Sequence, residues 1–110
     1  VAGYFPNSAG GLSSLMLGAH DSEDRLVYVG HVATGFTNLA RRTLREQLDQ
    51  LRRARHPFFR PPPPSRMSAR WVEPILVGTV EYREFGSTLR HPSWRGLRPE
   101  IHPSKVTVPK

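Results

Sequence analysis

The chain has 110 residues, with sixteen Lys or Arg against nine Asp or Glu, a formal charge of +7 and a pI near 11.0. That length supports one domain, and a hydrophobic fraction of 37% leaves roughly a third of it for loops and extensions. The absence of cysteine excludes a disulfide framework and a thiolate metal site. No apolar run approaches membrane-spanning length, and the start shows no signal-peptide pattern.

Val1 to Phe5 reads as a short strand stopped by Pro6-Asn7 and the small-residue loop Ser8 to Gly11. From Leu12 a second strand begins, with Leu15 and Leu17 alternating against Ser14 and Met16. A polar turn over Asp21-Ser22-Glu23-Asp24 leads to Leu26–Val32, β-branched and aromatic, the returning arm of a hairpin. Thr37 then has the chemistry of a helix N-cap, and Phe36 before it is placed to staple onto the first turn.

In the helix that follows, Leu39, Leu44, Leu48 and Leu51, with Ala40, are assigned to one apolar face. Arg41, Arg42, Arg45, Arg52 and Arg53 take most of the rest. A helix charged in this way ordinarily covers a sheet with its polar side in water; the alternative is that these arginines hold phosphates. The helix is expected to end near Arg55, because His56-Pro57 forces an extended chain. Residues 56–70 form a proline-rich loop with Pro61 to Pro64 in a row, stiff and polyproline-like, and Phe58 and Phe59 are expected to anchor it in the core. A spacer returning the chain to the sheet accounts for this loop better than a ligand for another domain.

Trp71 to Phe85 is expected as one long strand. Leu76, Gly78, Val80 and Tyr82 line one side; Val77, Thr79, Glu81 and Arg83 line the other, and Gly78 marks a bulge or bend. After a turn at Gly86-Ser87 comes a basic and aromatic segment, Leu89 to Arg98, and residues 99–110 make a proline-broken tail that pairs briefly at most. Residues 1–110 are thus read as a single, mainly β domain. It is a small Greek-key barrel of the oligonucleotide-binding class (OB-fold), of about five strands with one amphipathic helix between strands three and four.

No nucleophile, base and orienting group stand in a recognisable pattern, so no catalytic residue is assigned. His20, His31, His56, His91 and His102 lack metal-ligand spacing, and no metal ligand is assigned. Glu81 and Glu84 flank Arg83 as surface ion partners rather than as a catalytic pair. There is no GxxxxGK[ST] loop, and Gly10-Gly11 alone is a weak signal. Only Lys105 and Lys110 among the sixteen basic residues are lysines. A planar, permanently charged guanidinium suits phosphate oxygens, and a surface of this net charge favours nucleic acid. Arg90, Arg95 and Arg98 cluster with His91 and Trp94, where Pro92 and Gly96 set the turns. Trp94 is read as core filling in preference to stacking on a base.

The segments GGLSSLMLGAHD, LVYVGHVATGFT, WVEP and the run from VEYREF to LRHPSWRGLR resemble the C-terminal domain of ATP-dependent DNA ligases, most closely the bacterial non-homologous end-joining type. The resemblance covers nearly the whole chain. It implies a partner nucleotidyltransferase domain in the same polypeptide, carrying the adenylated lysine of a KxDG motif. That motif is absent here, so the fragment alone is expected to be inactive. An opening on Val-Ala-Gly fits a piece cut from a longer chain, beginning just after the last nucleotidyltransferase motif.

The resemblance further implies ATP and Mg2+ as cofactors of the whole enzyme, duplex DNA as substrate, DNA repair as the setting, and a bacterial cytoplasmic, nucleoid-associated location. Membrane partners are not expected. The family's final motif, an LREDK-like stretch that orients the β- and γ-phosphates of ATP, places its arginine at Arg98. The match departs after it, with Pro99-Glu100-Ile101-His102 in place of the acidic-lysine ending. The implied contacts are Arg98, then Arg95 and Arg90, to ATP phosphates. Arg83, Arg41, Arg42 and Arg45 are candidates for the DNA backbone. The alternatives are a stand-alone nucleic-acid-binding barrel without enzymatic activity and an mRNA-capping-type barrel; the latter lacks the LRHPSWRGLR pattern.

Overall fold

In the computed structural model, which describes residues 1–109, the chain forms nine strands and one α-helix. Lys110, the second of the two tail lysines, lies outside the described residues. The strands β1 (Gly3–Pro6), β2 (Leu12–His20) and β3 (Leu26–Val32) form an antiparallel meander. The helix α1 (Asn38–Asp49) follows, then β4 (Arg52–Arg53) and β5 (Arg70–Val72). These five strands make one sheet in the order β3-β2-β1-β5-β4. The rest of the chain folds as two antiparallel ribbons, β6 (Gly78–Glu81) with β9 (Ser93–Leu97) and β7 (Glu84–Phe85) with β8 (Leu89–Arg90).

The hairpin of β2 and β3 stands as expected, pairing Leu15 with Val32 and His20 with Leu26 around the polar turn. Asp21 closes that turn by accepting from the main-chain nitrogens of Glu23 and Arg25 at 2.9 and 3.0 Å. In-and-out alternation along β2 does not hold: Ser14, Leu15, Met16 and Leu17 are all buried. The physical reason is that the sheet is covered on both faces. One face carries the main core of Tyr4, Leu12, Leu15, Val32, Leu44, Leu48, Val72 and Trp94. The other carries Met16 and Trp71, against which the proline-rich loop sets Phe58 and Ala69. Phe58 stands edge-on to both Tyr28 and Trp71 at 5.8 and 5.9 Å between ring centroids. Phe59 does not share this role; it is 56% exposed, with the Arg25 guanidinium 4.4 Å above its ring.

Thr37 caps α1 as expected, its Oγ1 accepting from Ala40 N at 3.0 Å. Phe36 packs against the core and is covered from the first turn by the Arg41 guanidinium, 4.8 Å from the ring centroid. Leu44 and Leu48 face the sheet, but Leu39 is 68% exposed. At about 100° per residue, Leu39 lies opposite Leu48 on the helix and cannot share its face. The helix also ends at Asp49, earlier than expected, because Arg52 and Arg53 leave it to pair with Val72 and Trp71. An unpaired sheet edge offers main-chain partners that outweigh one further helical turn.

Trp71 to Phe85 is not one strand. Pro74 has no N–H to give to a ladder, and Ile75 N turns back to Glu73 O at 2.9 Å, so pairing stops at Val72 and resumes at Gly78. Among the described residues the tail joins the sheet through an isolated parallel bridge of His20 with Thr107, and Val106 and Val108 pack against the main core.

Candidate nucleic-acid interface

Strand β9 carries the basic segment, and its position follows from a bulge. Val80 lies opposite Trp94 while Thr79 lies opposite Gly96, so Arg95 is the extra residue. Gly96 adopts φ +131°, a conformation that other side chains rarely take. The bulge lets Trp94 turn into the core, where it stacks on Phe36 with 5.6 Å between centroids, while Arg95 and Arg98 remain at the surface.

Arg95 reaches across the ribbon to Glu81 with two contacts, Nε to Oε1 and Nη2 to Oε2, both at 3.0 Å. Arg98 donates through Nε to Glu100 Oε2 at 2.6 Å and through Nη1 to Thr79 Oγ1 at 3.2 Å. Thr79 and Glu81 are two residues apart on β6, which puts Arg95 and Arg98 over the same face of the β6–β9 ribbon. The Arg98 main chain is fixed as well, its nitrogen donating to Val77 O at 2.7 Å. The hydrogen bonds of Glu100, from its own main chain first and from Arg98 next, hold its carboxyl below the usual carboxylate range.

Arg90 is not part of this face. It sits on the β7–β8 ribbon opposite Glu84, with Nε 3.4 Å from Oε1. Arg83 joins it there, donating its main-chain nitrogen to Arg90 O at 3.0 Å. The structure therefore divides the basic residues into two ribbons, Arg95 with Arg98 and Arg83 with Arg90.

The helix arginines differ among themselves. Arg41 donates to three main-chain carbonyls, Leu12 O and Ser13 O through Nη1 and Ala33 O through Nη2, at 2.9, 2.8 and 2.9 Å. Arg45 donates to Gly11 O at 3.1 Å and lies 3.6 Å from Asp49. Both tie α1 to the start of β2, and Gly11 keeps that approach close: a Cβ there would stand 3.1 Å from Arg41 Cβ, a tight contact. Arg42 is exposed and makes no such contact. Arg66, which no sequence pattern singles out, lies half-buried with its Nη2 donating to His31 Nε2 at 3.0 Å. Only the folding of the proline-rich loop onto β3 brings the two together.

A five-stranded antiparallel sheet with a helix after its third strand, accompanied by two short antiparallel ribbons, is the architecture of an OB-fold. The chain belongs to the family described as the ATP dependent DNA ligase C terminal region, which matches residues 8–101. It is 43% identical over 101 residues to the multifunctional non-homologous end joining protein LigD of Mycolicibacterium smegmatis, covering 87% of this chain and 13% of that protein. To the LigD protein of Pseudomonas aeruginosa it is 33% identical over 101 residues, 87% of this chain and 12% of that protein. The chain thus spans about an eighth of the length of these curated relatives. Among solved structures, the ligase domain of LigD from M. tuberculosis superposes with a TM-score of 0.88 at 33% identity, over 99% of this chain and 37% of that one. A mycobacterial DNA ligase D complexed with ATP and MES gives 0.83 at 33% identity, over 97% and 35%.

Proposed function

We propose that this chain is the barrel domain of an ATP-dependent DNA ligase of the bacterial end-joining type, working in the cytoplasm on breaks in the nucleoid. It assists adenylation of a partner nucleotidyltransferase domain in the same polypeptide and then clamps duplex DNA for sealing. The observation that carries the reading is the placement of Arg95 and Arg98 on one ribbon face, in a chain belonging to a ligase family. The relatives reported above are multifunctional end-joining proteins, which favours a ligase over a free-standing binding module.

ATP, as substrate, supplies the adenylyl group and releases pyrophosphate. Attack by a lysine outside this chain gathers charge on the departing oxygens, and guanidinium groups fixed nearby neutralise it. Arg98 is assigned the first contact, because two side chains and a main-chain bond already orient it; Arg95 and Arg90 follow. Each carries a glutamate partner that phosphate oxygens would displace. Among the described residues no three acidic or histidine side chains converge.

For the DNA backbone, Arg83 and Arg42 are the open candidates. Arg41 and Arg45 have donors committed to main-chain carbonyls, and their contribution is to hold α1 in place. The test joins the chain to the nucleotidyltransferase domain and replaces Arg98 with alanine. Formation of the enzyme-AMP adduct should slow by about 10²-fold, the effect of losing one oriented donor. An unchanged rate would overturn the assignment. Duplex binding by the chain should also weaken steeply with salt, as phosphate contacts require.

A further inference from the structure

Between β3, the end of the proline-rich loop and the corner joining β8 to β9 lies an open cleft of about 560 Å3. Arg66, His31 and His91 line it together with the hydroxyls of Tyr28, Thr34 and Ser93, and no carboxylate does. Among the described residues six arginines pair with an acid: Arg25, Arg45, Arg53, Arg90, Arg95 and Arg98. Arg66 instead gives a donor to His31. To accept from Arg66, Nε2 of His31 must be unprotonated, so the partner of this half-buried guanidinium is neutral. The cleft therefore keeps one full positive charge uncompensated beside a set of neutral hydrogen-bonding groups.

Its far wall is fixed in advance. His91 adopts φ +53°, unusual for a residue other than glycine. That corner is held by Thr34, whose Oγ1 donates to Pro92 O at 3.0 Å and whose carbonyl accepts from Trp94 N at 2.9 Å. Neither Arg95 nor Arg98 lines the cleft.

We propose that this cleft is a second phosphate seat, in which Arg66 takes one backbone phosphate of a duplex DNA strand while His91 and the hydroxyls close around it. The proposal rests on the reading of this barrel as a DNA clamp and deepens it. A forked, always-charged donor matches two oxygens of one phosphate, and the neutral groups nearby complete its hydrogen bonding without repelling it.

The test uses the chain in two arms. Inorganic phosphate is titrated while the Arg66 Nε–Hε and His91 imidazole resonances are followed by NMR. Separately, a nicked duplex is bound at several salt concentrations by the chain and by Arg66→Gln, Arg66→Lys and His91→Asn, the last keeping a residue that tolerates positive φ. Arg66→Gln should lower duplex affinity three- to tenfold and reduce the slope of log K against log salt by about one. Arg66→Lys, which keeps the charge and loses the fork, should recover the slope and only part of the affinity. Should Arg66→Gln fail to fold, the lysine variant and the NMR arm decide.

If duplex binds the unaltered chain but Arg66→Gln matches it in affinity and slope, the seat is overturned and the clamp reading stands. If the unaltered chain binds no duplex even at low salt, the clamp reading falls. The NMR arm then judges the seat alone: a saturable shift at Arg66 keeps it for a smaller phosphate ligand, and an unmoved resonance removes it.

Discussion

Gly78 lies flat against the six-membered ring of Trp94, so closely that a Cβ at residue 78 would overlap Cη2 and Cζ3 of the indole. The glycine on β6 is what admits the tryptophan of β9 to the core, and the same β9 strand presents Arg95 outward. Gly78→Ala should therefore lower the free energy of unfolding by about 1–3 kcal/mol, the range for overfilling a packed core. Gly86→Ala, with open space around it, should stay within about 0.5 kcal/mol of the unaltered chain. Denaturant titrations of the two variants make the comparison.

Arg41 and Arg42 are neighbours with opposite consequences. Arg41→Ala removes the guanidinium bonds to the carbonyls of Leu12, Ser13 and Ala33 and uncovers Phe36. A loss of about 1–2 kcal/mol is expected, at the low end for charged hydrogen bonds because these are partly exposed. Arg41→Lys should recover little of it, since one ammonium cannot span the same carbonyls. Arg42→Ala should leave stability unchanged and weaken duplex binding; thermal melts and a binding isotherm separate the two effects.

Glu100 accepts from Arg98 Nε at 2.6 Å, so its carboxylate competes with a phosphate for the guanidinium charge. Glu100→Gln removes the competing charge and should raise the affinity of the joined enzyme for ATP. Both side chains are well exposed, which limits the gain to about fivefold at most. A fall in ATP affinity would instead mean that Glu100 positions Arg98.

His31 is held below the ordinary imidazole value of 6.5, first by burial and then by the Arg66 charge. As pH falls through 6.5, the unfolded chain takes up a proton at this position before the folded chain does. This contribution to stability therefore falls with decreasing pH, and the loss is complete once the folded imidazole is also protonated. Unfolding free energies at pH 7.5 and pH 5 should show a larger drop for the unaltered chain than for His31→Gln, which has no group to titrate there.

Parts of the fold are plain in the residues themselves. The hairpin of β2 and β3 needs only its apolar runs and the Asp21 turn, and the start of α1 needs only Thr37 three residues before Ala40. Other parts are illegible for a physical reason. Arg52 and Arg53 look helical until a sheet edge competes for their main chain, and Met16 looks like a solvent-facing position until the proline-rich loop lays Phe58 over its side of the sheet. At the interface, the identity of Arg90, Arg95 and Arg98 is readable, whereas their separation onto two ribbons depends on the break at His91-Pro92, after which the chain leaves β7 and pairs with β6.

What the chain's order of residues determined alone is therefore local: caps, turns, the strand hairpin, the basic surplus and the family pattern around Leu89 to Arg98. These rest on contacts between residues a few positions apart, whose geometry recurs wherever the pattern does. Tertiary structure alone decided which arginines are held inward and which are free. Arg41 meets carbonyls 28 and 29 residues away, and Arg66 meets a histidine 35 residues away. Contacts at such separations depend on how the sheet, helix and loop close on one another, and no periodicity in the sequence records them.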